Sequence, residues 1–314
     1  MATWPEVFRT PRGVGRPAAH VTALGPQHTD EVLSLCAQDP AARVFVASRI
    51  EEGVLNARGQ VLGWVAGGRL QAMVLCGANV VPVGLDERSA AALADHVGSR
   101  RALSSSLFGE VAAVRLLWEQ LRPLWGPARD ERWEQWSMVT STRPAELGVR
   151  ADPRVRPARL EELDLVHPAG AAMFTEEIGY PPYQGSPARY RAGFEQLISQ
   201  GRTFVVVEDG CVVFKADVGS VAFGVAQVQG VWTHPSQRGR GLATGAMAGV
   251  VDQLLTDGLP AVWRPGRVPP GPVGSPRERI GTVHLYVNDY NHAARAVYER
   301  VGMRHVGTFA TIIL

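Results

Sequence analysis

The stretch THPSQRGRGLATG, residues 233–245, separates a run typical of a β-strand from a run typical of an α-helix. Its centre is RGRG, residues 238–241, directly before a predicted helix start near Leu242. A helix start presents unpaired backbone N–H groups and the positive end of the helix dipole. Glycines let the backbone approach a ligand closely, and arginines add charge-assisted hydrogen bonds. The stretch therefore predicts a site for a phosphate-like anion.

The spacing of these residues differs from that of the common nucleotide-binding loops. A P-loop requires Gly-Lys-Ser/Thr, and the dinucleotide fingerprint requires G-x-G-x-x-G. Residues 233–245 contain neither sequence. ATP and NAD are therefore disfavoured as ligands.

Two segments together resemble the GCN5-related N-acetyltransferases, the GNAT family. SQRGRGLATGAM is similar to the family's pyrophosphate loop, R-x-x-G-x-G/A, at Arg238, Gly241 and Ala243. HLYVNDYNHAARAVYERVGM, residues 284–303, is similar to the family's second CoA-binding segment. The matching positions of this second segment are Asn291, Ala294, Tyr298 and Gly302, with Met303 where Phe is common.

The resemblance covers residues 155–314 and implies acetyl-CoA as co-substrate, with no metal. It places the pantetheine arm on the end of the strand and the pyrophosphate on the loop. The implied cofactor-binding residues are Val231, Trp232, Thr233, Arg238, Gly239, Arg240, Gly241, Leu242, Ala243 and Asn291.

The resemblance also implies a general acid. Tyr298 would lie near the sulfur and protonate the leaving thiolate. A phenol with a pKa near 10 suits a thiol with a pKa of about 8 to 9. Backbone N–H groups of the strand would polarise the thioester carbonyl.

The base that deprotonates an acceptor amine is left open. The strand AQVQGVWTH has Gln227 and Gln229 where family members often carry Glu. Glu176 and Glu177 lie in FTEEIGYPPYQGSPARY, where the resemblance places the acceptor pocket, and are catalytic candidates beside Tyr298. An ordinary loop is an equally good interpretation of that segment. Asp217 and His234 are further candidates for the base.

Lys215 and Asp217 are one strand period apart and share a face of the predicted sheet. For this pair a solvated ion pair is the favoured interpretation.

The order of predicted elements in the first half of the chain recurs in the second: two helices, three strands, then helix, strand, helix, strand. Such a repeat favours an α/β (α+β) fold with a mixed sheet, built from two GNAT-like domains in tandem. The predicted division is a tail over 1–18, a degenerate domain over 19–140, a linker over 141–154 and an acetyltransferase domain over 155–314.

The first copy lacks the residues that carry the resemblance. In VGLDERSAAALAD, Asp86 and Glu87 occupy the helix start, where they cap the helix but repel a pyrophosphate. SSSLFGEVAAVRLLWEQL has neither Asn nor Tyr at the expected spacing. The first copy is therefore predicted to bind no CoA. The chain is similar to two-domain actinobacterial proteins in which a domain of unknown function precedes an acetyltransferase domain.

The composition fits a protein of two domains. The 314 residues are 46% hydrophobic and 20% charged, with a formal net charge of +2. The scattered arginines argue against a nucleic-acid partner, and the lack of an apolar run of about 20 residues argues against a membrane span. Cys36, Cys76 and Cys211 lack metal-ligand spacing and are predicted to be buried thiols. A cytoplasmic monomer or homodimer is expected.

The function predicted from these features is transfer of an acetyl group from acetyl-CoA directly to an amine. The partners are then a CoA thioester and an amine acceptor, which is a small molecule or a protein. Two alternatives remain: a catalytically inactive CoA sensor or partner-binding protein, and a scaffold that binds no ligand.

Overall fold

The computed structural model describes residues 19–182, 187–261 and 277–314. The predicted tail over 1–18, Tyr183 with the three residues after it, and the Pro- and Gly-rich stretch over 262–276 lie outside the described residues. The described helices are α1 (Thr29–Cys36), α2 (Val44–Glu51), α3 (Glu87–Val97), α4 (Val111–Trp125), α5 (Leu163–Ile178), α6 (Pro187–Ser199), α7 (Leu242–Asp257) and α8 (His292–Arg300).

Six of the described strands belong to the first half of the chain and eight to the second. Those of the first half are β1 (His20–Ala23), β2 (Val61–Ala66), β3 (Arg69–Leu75), β4 (Asn79–Val83), β5 (Ser106–Glu110) and β6 (Asp130–Thr140). Those of the second half are β7 (Arg156–Pro157), β8 (Thr203–Glu208), β9 (Cys211–Ala222), β10 (Val225–Thr233), β11 (Leu259–Pro260), β12 (Arg277–Glu278), β13 (Thr282–Asn288) and β14 (Arg304–Ile313).

The predicted repeat of element order is confirmed. After its opening strand, each half runs through two helices, three strands, and then helix, strand, helix, strand. The second half adds the two-residue strands β11 and β12, which were not predicted, between α7 and β13. Each half also opens with a short strand that was not predicted, β1 of 4 residues and β7 of 2 residues. Strands this short contain too few residues to show an alternating pattern.

Twelve of these strands form one continuous sheet in the order β1-β2-β3-β4-β5-β14-β6-β13-β10-β9-β8-β7. The pairs β4–β5 and β10–β13 are parallel and the other pairs are antiparallel, so the predicted mixed α/β class is confirmed. The last strand of each half is exchanged. β14 lies between β5 and β6, and β6 lies between β14 and β13. The two halves therefore share one backbone hydrogen-bond network.

The apolar clusters also cross the boundary between the two halves. One apolar cluster joins β8–β10 and β13 to α7 and α8. Another cluster, centred on α1, α2 and β2–β4, also contains Ala222 and Val225 of the second half. Cys36 and Cys76 are buried in the first half as predicted, whereas the prediction for Cys211 was wrong because it starts β9 at an exposed turn.

The predicted linker, residues 141–154, is packed against α7. Arg143 forms a two-pronged ion pair with Asp252 of α7, at 2.7 and 3.2 Å. Gly249 of α7 lies so close to Val155 that a Cβ on the glycine would be 3.0 Å from the valine Cβ. The connection between the halves is thus fixed to the helix that follows the RGRG loop.

Candidate active site

A cleft opens where two parallel strands separate. β10 and β13 are paired only from Val225 to Gln227, and they diverge beyond that point. β10 is also irregular against β9 between Gln229 and Trp232, and Gly230 within this bulge has a φ of 56°. A non-glycine residue rarely adopts that conformation. The bulge and the separation of the strands leave a cleft of about 1330 Å³.

The RGRG loop forms one side of this cleft. Gly239 and Gly241 have φ values of 74° and 81°, so the backbone turns sharply twice before α7 begins. Gly241 is the N-cap of α7 and, as a glycine, makes no side-chain capping hydrogen bond to the first turn of that helix. Unpaired N–H groups at the start of a 16-residue helix are a favourable site for an anion.

Nine of the ten predicted cofactor-binding residues line the cleft. Arg240 does not. It lies on the other side of the loop, where it borders a smaller cavity of about 310 Å³ with Asp152, Arg154 and Glu208. Arg240 therefore faces a different cavity from Arg238, which lines the cleft.

Tyr298 lies deep in the cleft on α8 and is 7% exposed. Burial, with a smaller contribution from the charge of Glu177, raises the pKa of its phenol well above the usual range. Tyr298 therefore keeps its proton at neutral pH. Asn291 caps the same helix, and its Oδ1 accepts a hydrogen bond of 3.1 Å from the N–H of Ala294.

Glu176 and Glu177, at the end of α5, both line the cleft and both have cationic partners. Glu176 accepts hydrogen bonds from Trp232 Nε1 at 3.2 Å and from Arg238 Nη2 at 2.6 Å. Glu177 lies 3.6 Å from Arg132, which also donates to the Glu177 backbone carbonyl at 2.8 Å. Arg132 belongs to β6, so the first half of the chain helps to hold the acidic end of α5.

Among the four candidate bases, His234 is the one that does not border the cleft. Its Nδ1 is engaged with Ser236, at 2.8 Å from the hydroxyl oxygen, and the residue does not line the cleft. Gln227 is buried and lies 3.4 Å from Nδ1 of His284. Gln229 does line the cleft.

The expectation of a solvated Lys215–Asp217 pair was wrong. Lys215 is fully buried, and Asp217 is 4% exposed and lines the cleft. Lys215 Nζ donates to Asp217 Oδ2 and, at 3.3 Å, to the carbonyl of Gly230. Thr203 donates to Asp217 Oδ1 at 2.8 Å. Alternation along β9 shows that the two residues share a face, but only the packing of α5 and α6 shows that this face is covered.

The end of the cleft nearest Asp217 is walled by apolar side chains from α5 and α6, namely Met173, Phe174, Ile178, Tyr190, Phe194 and Leu197. The first half contributes here as well. Arg129 lies over the ring of Tyr180 at 4.1 Å, beyond the end of α5. The proposed acceptor segment is thus a structured wall over residues 174–182.

Within residues 19–182, 187–261 and 277–314, no group of three His, Cys, Asp or Glu side chains is placed to hold a metal ion. Over the same residues, no helix has the length and apolar character that crossing a bilayer requires.

Comparison with protein families divides the chain in two. Residues 59–166 match a domain of unknown function, DUF4081, and residues 170–265 match the acetyltransferase (GNAT) family. The expectation of an uncharacterised domain ahead of an acetyltransferase domain is confirmed. No curated protein matches the chain.

Solved structures share the fold over nearly the whole chain. A GCN5-related N-acetyltransferase from Sphaerobacter thermophilus has a TM-score of 0.57 at 17% identity, covering 94% of this chain and 95% of its own. A tandem GNAT protein from the clavulanic acid biosynthesis pathway has a TM-score of 0.54 at 15% identity, and the match covers 94% of this chain and 98% of that protein. A Drosophila protein has a TM-score of 0.58 at 12% identity, covering 95% and 99%. These likenesses show the fold.

Proposed function

We propose, from the premise that residues 170–265 belong to the GNAT acetyltransferase family, that the protein moves an acetyl group from acetyl-CoA directly to an amine. One observation carries the proposal: a single cleft joins a helix start that has no side-chain cap to a buried tyrosine and to carboxylates. An anionic cofactor, a leaving thiolate and a cationic acceptor each have a matching group there.

The cofactor would enter along the diverging strands. Its pyrophosphate would lie on the N–H groups of Gly239 to Ala243, with Arg238 as a further donor. Val231, Trp232 and Thr233 would hold the pantetheine arm beside Asn291, on the edge of β10 that β13 leaves unpaired. Arg240, which faces the smaller cavity, would act on another part of the cofactor or not at all.

The bulge at Gly230 and Val231 is suited to the thioester. N–H groups released from regular pairing there would stabilise the oxyanion that forms as the amine attacks. As the carbon–nitrogen bond forms and the carbon–sulfur bond breaks, Tyr298 would give its proton to the sulfur. Glu176 and Glu177 remain candidates for the base that prepares the amine.

We also propose that the chain divides functionally as the sequence suggested, into residues 19–140, 141–154 and 155–314. The first half would then carry no chemistry of its own and would shape the acceptor end. Arg129 and Arg132 support this role, because both contact the end of α5 and the turn after it.

The test is thermal denaturation of the full chain with and without acetyl-CoA, followed by thiol release from acetyl-CoA in the presence of amines. At one hundred times its Kd, a ligand that binds only the native state stabilises it by about 2.7 kcal/mol. We expect a shift of several degrees in Tm, and amine-dependent release of CoA. An unchanged Tm would contradict cofactor binding, and stabilisation without turnover of any amine would contradict catalysis.

A further inference from the structure

We propose that Asp217, held by Lys215, receives the ammonium group of the acceptor and takes its proton, and that the acceptor is a monoamine carried on an apolar arm. The proposal rests on the proposed function and specifies its acceptor side. No carboxylate stands on β10, and the buried pair on the neighbouring strand β9 supplies one.

The position of Asp217 is set by strand register. Asp217 pairs with Gln229, directly before the bulge in β10. Its Oδ2 lies 3.0 Å from the point that a Cβ on Gly230 would occupy. If the acetyl carbonyl lies on the bulge, an attacking nitrogen must approach within van der Waals distance of this carboxylate.

The surroundings of Asp217 leave it able to accept more hydrogen bonds. An ionised carboxylate offers about four lone-pair sites. Thr203 uses one on Oδ1 and Lys215 uses one on Oδ2, and the residue still borders the cleft. Lys215, which is fully buried, fixes this carboxylate at the edge of the cleft through its own hydrogen bond. A buried ion pair is weak support for stability alone, which favours a functional reason for it.

The charges along the cleft argue against a polycationic acceptor. Glu176 is paired with Arg238, and Glu177 is paired with Arg132. Asp217 is paired with Lys215. The acidic groups are therefore balanced by cations, and an acceptor with several positive charges finds no excess of negative charge.

The apolar wall indicates the rest of the acceptor. Met173 and Phe174 of α5 and Tyr190 and Phe194 of α6 border the cleft on the side of Asp217. The face of the Phe194 ring lies 5.0 Å from Lys215 Nζ, so this ring also closes the ion pair off from solvent. An aliphatic or aromatic arm fits between these side chains, with its amine directed at Asp217.

The proton balance of the step is closed. An ammonium N–H gives its proton to Asp217, and the neutral nitrogen attacks the acetyl carbon. The carbon–sulfur bond breaks, and the thiolate takes the proton of Tyr298. The new amide nitrogen is still protonated after the attack, and it returns a proton to the Tyr298 phenolate. Asp217 releases its proton to solvent. The products are the amide, CoA and one proton.

The experiment measures thiol release by the full chain at saturating acetyl-CoA with three probes: 2-phenylethylamine, ethanolamine and spermidine. We expect kcat/KM for 2-phenylethylamine to exceed that for either other amine by about tenfold or more. Asp217→Asn should lower it about a hundredfold or more, with recovery at high pH where free amine is abundant. Asp164→Asn, which removes an exposed carboxylate of α5, is the matched control and should leave turnover unchanged.

Two further variants separate chemistry from folding. Lys215→Met with Asp217→Asn removes both buried charges, so a loss of turnover in a variant that still gains Tm with acetyl-CoA supports the proposal. Lys215→Met alone should lower kcat for 2-phenylethylamine and leave the Kd for acetyl-CoA unchanged, because the carboxylate loses the group that positions it. A purely structural defect would weaken acetyl-CoA binding as well.

Asp217→Asn turnover within threefold of wild type would overturn the role of Asp217. Equal or better turnover of ethanolamine or spermidine, or no turnover of 2-phenylethylamine, would overturn the acceptor class. Failure of the proposed function would look different, because acetyl-CoA would either leave the wild-type protein unstabilised or support turnover of no amine at all.

Discussion

The starts of α3 and α7 occupy the same place in the two halves, each after the third strand of the repeated order, and they are built in opposite ways. Asp86 caps α3, and its Oδ1 accepts a hydrogen bond of 2.8 Å from the N–H of Ser89. Gly241 caps α7 without any side-chain acceptor. The first helix satisfies its own N–H groups, whereas the second leaves them to a ligand.

The next helix of each half shows the same contrast. Seven residues after the N-cap, α8 carries Tyr298 and α4 carries Leu117. Leu117 is fully buried in an apolar cluster, whereas Tyr298 borders the cleft. One copy has used the position for packing and the other for a polar group. Equivalent positions of the shared fold can therefore serve either ligand binding or core packing. The residue type at the position decides between the two.

The largest effect is expected at Tyr298. Tyr298→Phe should lower the rate of amine-dependent thiol release by about a hundredfold to ten-thousandfold, because the thiolate loses its proton donor. The Kd for acetyl-CoA should change little, since the ring remains. A steady-state assay of thiol release measures kcat, and isothermal titration calorimetry measures the Kd for acetyl-CoA. Undiminished kcat would place the acid elsewhere and remove the contrast between α8 and α4.

A carboxylate at the start of α7 should make the second half resemble the first. Gly241→Asp is expected to abolish the acetyl-CoA stabilisation of about 2.7 kcal/mol at one hundred times the wild-type Kd, because the new charge opposes the pyrophosphate. Gly241→Asn is the control, since Asn has a similar shape, tolerates a positive φ and carries no charge. Thermal denaturation of both proteins compares them. Equal losses would assign the effect to backbone strain.

The free energy of unfolding should fall in acid because of His284, which lies where β13 of the second half pairs with β6 of the first. Burial lowers the pKa of His284 to about 3, and its Nε2 lies 2.9 Å from Ser137 Oγ of β6. The unfolded chain takes up this proton below a pKa near 6.5 and the native protein does not, so stability is full above pH 6.5 and falls towards pH 3.

From pH 8.0 to 5.0 this loss is about 2 kcal/mol, at 1.36 kcal/mol for each pH unit below 6.5. His284→Gln should flatten the dependence by that amount in urea unfolding measured at both pH values. If the halves share one hydrogen-bond network, both should unfold in a single transition at each pH. Two transitions, with only one responding to the variant, would show that the halves are energetically separate.

The smallest effect is expected in the first half. Asp86→Ala should cost about 1 kcal/mol of stability, the usual value for a lost N-cap. The stabilisation by acetyl-CoA should be unchanged, because the cleft lies in the second half. Denaturation with and without the cofactor measures both quantities. A changed cofactor affinity would mean that α3 communicates with the cleft.

Much of this arrangement could be predicted from local patterns. The RGRG loop, the start of α7 and the segment containing Tyr298 are contiguous in sequence, and periodicity gave the order of the helices and strands. The exchange of β6 and β14 could not be predicted, because the alternation of apolar and polar residues along a strand does not show which strand it pairs with. The orientation of Arg240 depends on the turns at Gly239 and Gly241. The burial of Lys215 depends on helices that cover its face of the sheet.

Lys215 is the only lysine in the sequence, and it is fully buried. Lysines are usually on protein surfaces, where reactive thioesters acylate them without an enzyme. This protein presents arginines instead, whose guanidinium groups remain protonated and are poor nucleophiles. The folded chain therefore offers no lysine amine to spontaneous acylation, to amine-directed cross-linkers or to conjugation of other proteins through isopeptide bonds. After treatment with an amine-directed cross-linker, a modified Lys215 found by mass spectrometry would therefore identify molecules that had unfolded.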